Sequence, residues 1–127
     1  MARRRRSGGP SGLVVVDKPA GITSHDVVDI ARRSLRERRI GHTGTLDPLA
    51  EGLLLLCVGH ATRLQQFLLR WDKRYEGRIR LGHATTTYDG EGEAQEPADM
   101  PPDLDRATLD DLVARFRGSI EQVPPPY

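Results

Sequence analysis

The chain has 127 residues, enough for one domain with one core and too few for two ordinary ones. Its net charge of +1 conceals a polarity: residues 1–80 carry 16 Lys and Arg against 8 Asp and Glu, and residues 81–127 carry 3 against 10, so a front of +8 precedes a rear of −7. A basic front suits a phosphate-bearing partner, the single cysteine excludes an internal disulfide, and no stretch approaches the ~20 apolar residues needed to cross a bilayer.

Residues 1–11 contain Arg3, Arg4, Arg5 and Arg6 with no apolar segment after them, which reads as a disordered basic tail and not as a secretory signal. Gly12 to Asp17, with Val14, Val15 and Val16, reads as a first strand closed by the turn Asp17-Lys18-Pro19-Ala20-Gly21. Lys18 has two readings there, a solvated turn lysine or a phosphate contact. Thr23 to Arg38 reads as a helix. Thr23 or Ser24 can cap it, Asp26 suits its first turn, and Val27, Ala31 and Leu35 make one apolar face with Val28 beside them. Arg32, Arg33, Arg36 and Arg38 then lie off that face, free to meet phosphates or only to be wet.

Gly41 to Gly52 reads as a glycine-punctuated loop holding His42 and Asp47, with Gly41, Gly44 and Gly52 allowing a partner close to the main chain. The unbroken run Leu53 to Val58 behind it reads as a strand buried on both faces, with Cys57 as a buried, reduced thiol of a cytoplasmic protein. A short helix from Arg63 to about Trp71 is expected after a Thr62 cap, with Leu64, Phe67 and Leu68 on one face. Lys73 to Leu81 alternates, Tyr75, Gly77, Ile79 and Leu81 against Glu76, Arg78 and Arg80, as a half-buried strand does. Gly82 to Leu104 is an acidic loop, Arg106 to Phe116 a helix capped by Asp105, and Ser119 to Val123 the start of a strand before three prolines.

The residue types narrow the chemistry. His25, His42, His60 and His83 are far apart in sequence and lack metal-site spacing, so no metal is expected. Neither the glycine-lysine phosphate loop nor the serine elbow of hydrolases is present. Asp47 remains as a candidate nucleophile, since a carboxylate can form covalent bonds to sugars or electrophilic rings without a metal. An Asp before Pro reads equally well as the start of a turn. Tyr75 can offer a ring for a base to stack on or be a core residue of its strand, and His42 can reach into a nucleic acid or do nothing.

The strings GLVVVDKPAGITSHDVV, GHTGTLDPLAEGLLLLCVGHATR and DKRYEGRIRLGHATTTYDGEG together resemble the TruB family of tRNA pseudouridine synthases, over residues 12–127. The resemblance implies isomerisation of a uridine in the T stem-loop of tRNA, with no cofactor. It implies Asp47 as the catalytic aspartate, Tyr75 as the tyrosine that stacks on the flipped base, and His42 as the histidine that enters the space the base leaves. The Asp17-Lys18-Pro19 turn matches a family motif that braces the active-site loop. Many members have an acid where Thr86 stands. The family also continues beyond the residues matching Tyr127, with an arginine that pairs with the aspartate and often an RNA-binding module.

The expected fold is therefore α+β, a mixed, mainly antiparallel sheet with packed helices, pseudouridine synthase-like and incomplete: a tail over 1–11, then the N-terminal portion of a catalytic domain over 12–127. The expected protein is a cytoplasmic, monomeric tRNA pseudouridine synthase with tRNA as partner. A non-catalytic RNA-binding remnant and a guide-RNA-dependent relative are the alternatives.

Overall fold

A computed structural model describes residues 8–125. The expected basic tail lies outside these residues up to Ser7. Ser11, its last member, is tied down: its hydroxyl accepts from the His60 amide at 2.9 Å and donates to the Val58 carbonyl at 3.4 Å.

The chain is α+β, and it divides into two units, residues 8–74 and 75–125 as described. In the first, β1 (Gly12–Lys18), α1 (Ser24–Leu35), β2 (Ile40–His42) and β3 (Gly52–Val58) are followed by a 3-10 helix (Gly59–Leu64) and the short α2 (Gln65–Leu68). The strands form one sheet in the order β1-β3-β2, antiparallel in both ladders. The register pairs Val14 with Leu56 and Val16 with Leu54 on one face, and Leu13 with Cys57 and Val15 with Leu55 on the other.

The period of two along β1 and β3 delivers Val14, Val16, Leu54, Leu56 and Val58 to the face that α1 covers with Val27, Val28, Ala31 and Leu35. This is the core. Fully burying an aliphatic side chain of this kind stabilises by about 1.5–3 kcal/mol, so the dozen or so that gather here hold the unit together. The opposite face differs from the expectation for β3. Cys57 is wholly buried, but Leu53 and Val15 are each 70% exposed, so the strand is covered on both faces only toward its end. The 3-10 helix lies against the sheet.

Other boundaries moved for local reasons. α1 stops at Leu35, three residues before the expected Arg38, because Arg36 takes a left-handed conformation (φ 52°) that ends the helix and sends the chain toward β2. No glycine marks that reversal. Ile40–His42 is strand, so Gly41 and His42, the first two residues of the expected loop, belong to β2. Thr62 does not cap a helix. Its hydroxyl donates back to the Gly59 carbonyl at 2.8 Å, tightening a 3-10 turn where helix was expected to begin, and of the three expected apolar positions only Leu68 is buried.

The second unit carries little regular structure. The expected strand over 73–81 does not form: alternation makes a strand only where its apolar row is covered, and Tyr75, Ile79 and Leu81 are all exposed. Thr85 and Ala94 make an isolated bridge. Within that turn the Thr87 hydroxyl and the Glu91 amide hold the Asp89 carboxyl below its usual range. The helix α3 (Arg106–Ala114) forms with the expected Asp105 cap, though none of its residues is buried. The expected strand at Ser119 is absent, and the last two residues lie outside the described chain.

Candidate active site

Asp47 sits at the tip of the connection between β2 and β3, exposed, on a turn closed by the Ala50 amide donating to its carbonyl at 3.0 Å. Asp47-Pro48 starts a turn, as one of its two readings expected, and that turn leaves the carboxylate in solvent. Among the described residues no side chain pairs with that carboxylate.

The main chain around Asp47 is held by the turn and helix start that follow β1. Pro48 offers its carbonyl to the Gly21 amide at 2.8 Å and to the Lys18 ammonium at 3.2 Å. Leu46, buried in the core, exchanges two bonds with the Ser24 hydroxyl, its amide donating at 2.9 Å and its carbonyl accepting at 3.0 Å. Asp47 is therefore flanked by two immobilised neighbours while its own side chain stays in solvent.

Lys18 departs furthest from a solvated turn lysine. It is 0% exposed, and its ammonium donates to the carbonyls of Pro19 at 2.8 Å, Ile22 at 2.7 Å and Pro48 at 3.2 Å. Three donors meet three acceptors, so the buried charge is solvated by carbonyl dipoles. It touches the Asp47 turn from beneath and cannot reach a phosphate. Gly21, at φ 89°, supplies the left-handed step that aims its amide at Pro48, a conformation L side chains rarely adopt.

His42 ends β2 opposite Leu56, half-buried, with its carbonyl accepting from the Gln65 side chain at 2.9 Å and its Nδ1 enclosed without a hydrogen-bond partner among the described residues. Gly41 admits that glutamine, because a Cβ there would collide with Gln65 Oε1. The close approach that the glycines allow is made by the chain's own α2. His42 and Asp47 thus lie on one connection, tied to β3 by the Thr43 amide donating to the Leu55 carbonyl at 3.0 Å. Tyr75 begins the second unit and is 66% exposed, its ring open to solvent and not built into a strand.

The arginines divide. Arg32 is structural, paired with Asp29 at 3.0 Å and donating to the Ile40 carbonyl at 3.3 Å, whereas Arg33, Arg36, Arg38 and Arg39 are exposed. Among the described residues no group of three His, Cys, Asp or Glu side chains lies close enough to hold a metal ion.

The sequence offered Ser24 only as an alternative helix cap, a task that Thr23 takes, and gave Gln65 no role. The signal for Ser24 was its place beside a better cap: in Thr23-Ser24-His25-Asp26, Thr23 and Asp26 cap each other reciprocally, which leaves the neighbouring hydroxyl for another task. Gln65 carried no comparable signal.

Residues 32–127 match the family model described as TruB family pseudouridylate synthase, N terminal domain. The chain is 49% identical over 116 residues to the tRNA pseudouridine synthase B of Bacillus cytotoxicus, covering 91% of this chain and 38% of that protein. It is 54% identical over 114 residues to the enzyme of the same name from Cupriavidus pinatubonensis (90% of this chain, 36% of that one) and 46% identical over 124 residues to that of Aliivibrio salmonicida (98% and 38%). It spans under two-fifths of the length of these relatives. With the match covering the loop that carries Asp47 and everything after it, the chain belongs to the TruB family of pseudouridylate synthases, as its N-terminal domain.

Proposed function

We propose that the protein isomerises a uridine in the T stem-loop of tRNA to pseudouridine, with Asp47 as the nucleophile. One observation carries the reading: an exposed carboxylate stands on a turn whose neighbouring residues are immobilised by hydrogen bonds from Lys18, Gly21 and Ser24. A nucleophile so mounted meets its target with little conformational freedom left to lose.

The chemistry balances without a cofactor. The Asp47 carboxylate bonds to the target nucleoside as the bond from uracil N1 to the sugar breaks, the base rotates, and a bond from C5 to the sugar forms while the bond to Asp47 breaks and returns the free carboxylate. The proton leaves C5 and one is gained at N1, so no group is transferred and nothing is oxidised. The base must first leave the stacked loop, since a side chain cannot reach the glycosidic region within it. In this reading His42 fills the space vacated and Tyr75 stacks on the everted base and assists removal of the C5 proton. Arg33, Arg36, Arg38 and Arg39 attract the RNA backbone, and the protein works in the cytoplasm as a monomer.

A second reading is favoured by the lack of a side-chain partner for the Asp47 carboxylate among the described residues: these 127 residues hold T arms without modifying them. A T-arm RNA carrying tritium at uridine C5 separates the two. Isomerisation predicts release of tritium alongside binding, whereas salt-sensitive binding with no release refutes turnover by this chain and supports the second reading.

A further inference from the structure

Ser24 is 3% exposed and stands one position inside α1, beyond the Thr23 that caps the helix. Its hydroxyl has no duty in the cap, where Thr23 takes the Asp26 amide at 3.0 Å and Asp26 takes the Thr23 amide at 2.8 Å. Both of its bonds go instead to one residue far along the chain, the amide and the carbonyl of Leu46. Those two groups belong to different peptide units. The amide lies in the plane joining Thr45 to Leu46, and the carbonyl in the plane joining Leu46 to Asp47, so a single hydroxyl fixes both planes leading into Asp47.

We propose that Ser24 is a positioning residue for the reaction: it aims Asp47 by locking the Leu46–Asp47 peptide, and so governs the chemical step and not RNA binding. The proposal rests on the reading of Asp47 as nucleophile. Ser24 cannot itself meet the RNA, being buried with its hydrogen engaged. Its effect follows from how steeply bond formation depends on placement, since reacting atoms must approach to about 3–3.5 Å and a displacement of about 1 Å costs on the order of 10²-fold. Lys18 and Gly21 restrain only the far side, at Pro48. The near side depends on this hydroxyl, because among the described residues the Leu46 amide and carbonyl have no other hydrogen-bond partner.

The test compares the chain with Ser24→Ala, which deletes both bonds while leaving the Thr23 cap, and with Ser24→Thr, which keeps a hydroxyl. Three quantities are read: hydrogen exchange at the Leu46 and Leu56 amides, single-turnover pseudouridine formation on a T-arm stem-loop, and affinity for that RNA. For Ser24→Ala we expect exchange at Leu46 to speed up at least about tenfold with Leu56 unchanged. Turnover should fall about 10- to 100-fold and affinity stay within about twofold; Ser24→Thr should remain close to the parent in all three. If Ser24→Ala does not fold, Ser24→Cys, which fills the space but donates weakly, is read in the same way. Unchanged exchange at Leu46 overturns the proposal, as does faster exchange with undiminished turnover, or a loss of turnover explained by weaker RNA binding. If even the parent forms no pseudouridine, the reading of Asp47 fails in this chain, and exchange at Leu46 alone decides whether Ser24 locks the turn.

Discussion

Lys18 shows how much a single buried side chain organises here. Its ammonium is a hub joining three carbonyls from two separate turns, those of Pro19, Ile22 and Pro48. Lys18→Met keeps the length and apolar stem but leaves the carbonyls of Pro19 and Ile22 without this donor. We expect a loss of about 1–3 kcal/mol in urea unfolding, with faster proteolysis of the Asp47 turn in the native state. A substitution with no measurable cost would mean that water reaches those carbonyls. Cys57 gives a second test at this scale. Burial pushes its thiol above the usual range, so the folded chain retains a proton that the unfolded chain releases in alkali. The stability it contributes is complete below the ordinary thiol range and is lost as pH rises through and beyond it. Correspondingly, a thiol reagent at mildly alkaline pH should label Cys57 only as fast as the protein unfolds, and stoichiometric labelling of the native chain would show the site to be open.

At the scale of elements, the design is a short antiparallel sheet whose first crossover grips its second connection. The turn after β1 and the start of α1 supply the Lys18, Gly21 and Ser24 bonds on either side of Asp47, so the position of α1 bears on the position of the carboxylate. The Thr23–Asp26 capping box therefore matters beyond the helix. Thr23→Ala should cost about 1 kcal/mol in stability. Hydrogen bonds from the Thr23 amide and hydroxyl hold the Asp26 carboxyl below its usual range, so its contribution is present above the ordinary carboxylate range and lost as pH falls below it. Thr23→Ala, which deletes the hydroxyl's bond and keeps the amide's, should flatten part of the acid limb of stability against pH, and an unaltered limb would remove the hydroxyl from the account. The elements legible in the sequence were those specified by their own residues: the β-branched run of β1, the cap and apolar spacing of α1, the Asp105 cap of α3, and the Asp-Pro turn. What stayed illegible was set by neighbours. The left-handed Arg36 lacks a glycine to announce it, and the 3-10 turn at Thr62 looks like a cap. The alternation of residues 73–81 promises a strand that forms only if something covers Tyr75 and Ile79. The carboxylate and the histidine could be picked from the sequence, and the Lys18 turn as a brace only through the resemblance, but the bonds that Ser24 and Gln65 make to their main chain could not. Hydrogen bonds across 22 to 30 positions leave no local pattern.

Over the whole molecule, burial is uneven, and the consequences are measurable. Leu56, with no exposure, lies at the centre of the first unit's core, whereas Leu53, three residues earlier on the same strand, is mostly in solvent. Leu56→Ala should cost about 2–5 kcal/mol and Leu53→Ala less than about 0.5 kcal/mol, measured by urea unfolding. Equal costs would mean that the outer face of the sheet is covered in solution. The exposed arginines of the first unit, Arg33, Arg36, Arg38 and Arg39, should make T-arm binding weaken at least about tenfold between 50 and 200 mM salt. Replacing Arg38 and Arg39 by Gln should make that dependence shallower.

Above these tests stands the role of one carboxylate, and single-turnover pseudouridine formation by Asp47→Asn, with protein in excess over a T-arm RNA whose affinity is titrated in parallel, examines it directly. The account predicts that the amide variant binds the RNA as the parent does, within about twofold, and forms product at least about 10³-fold more slowly. Product formed by Asp47→Asn at the parent's rate would contradict it.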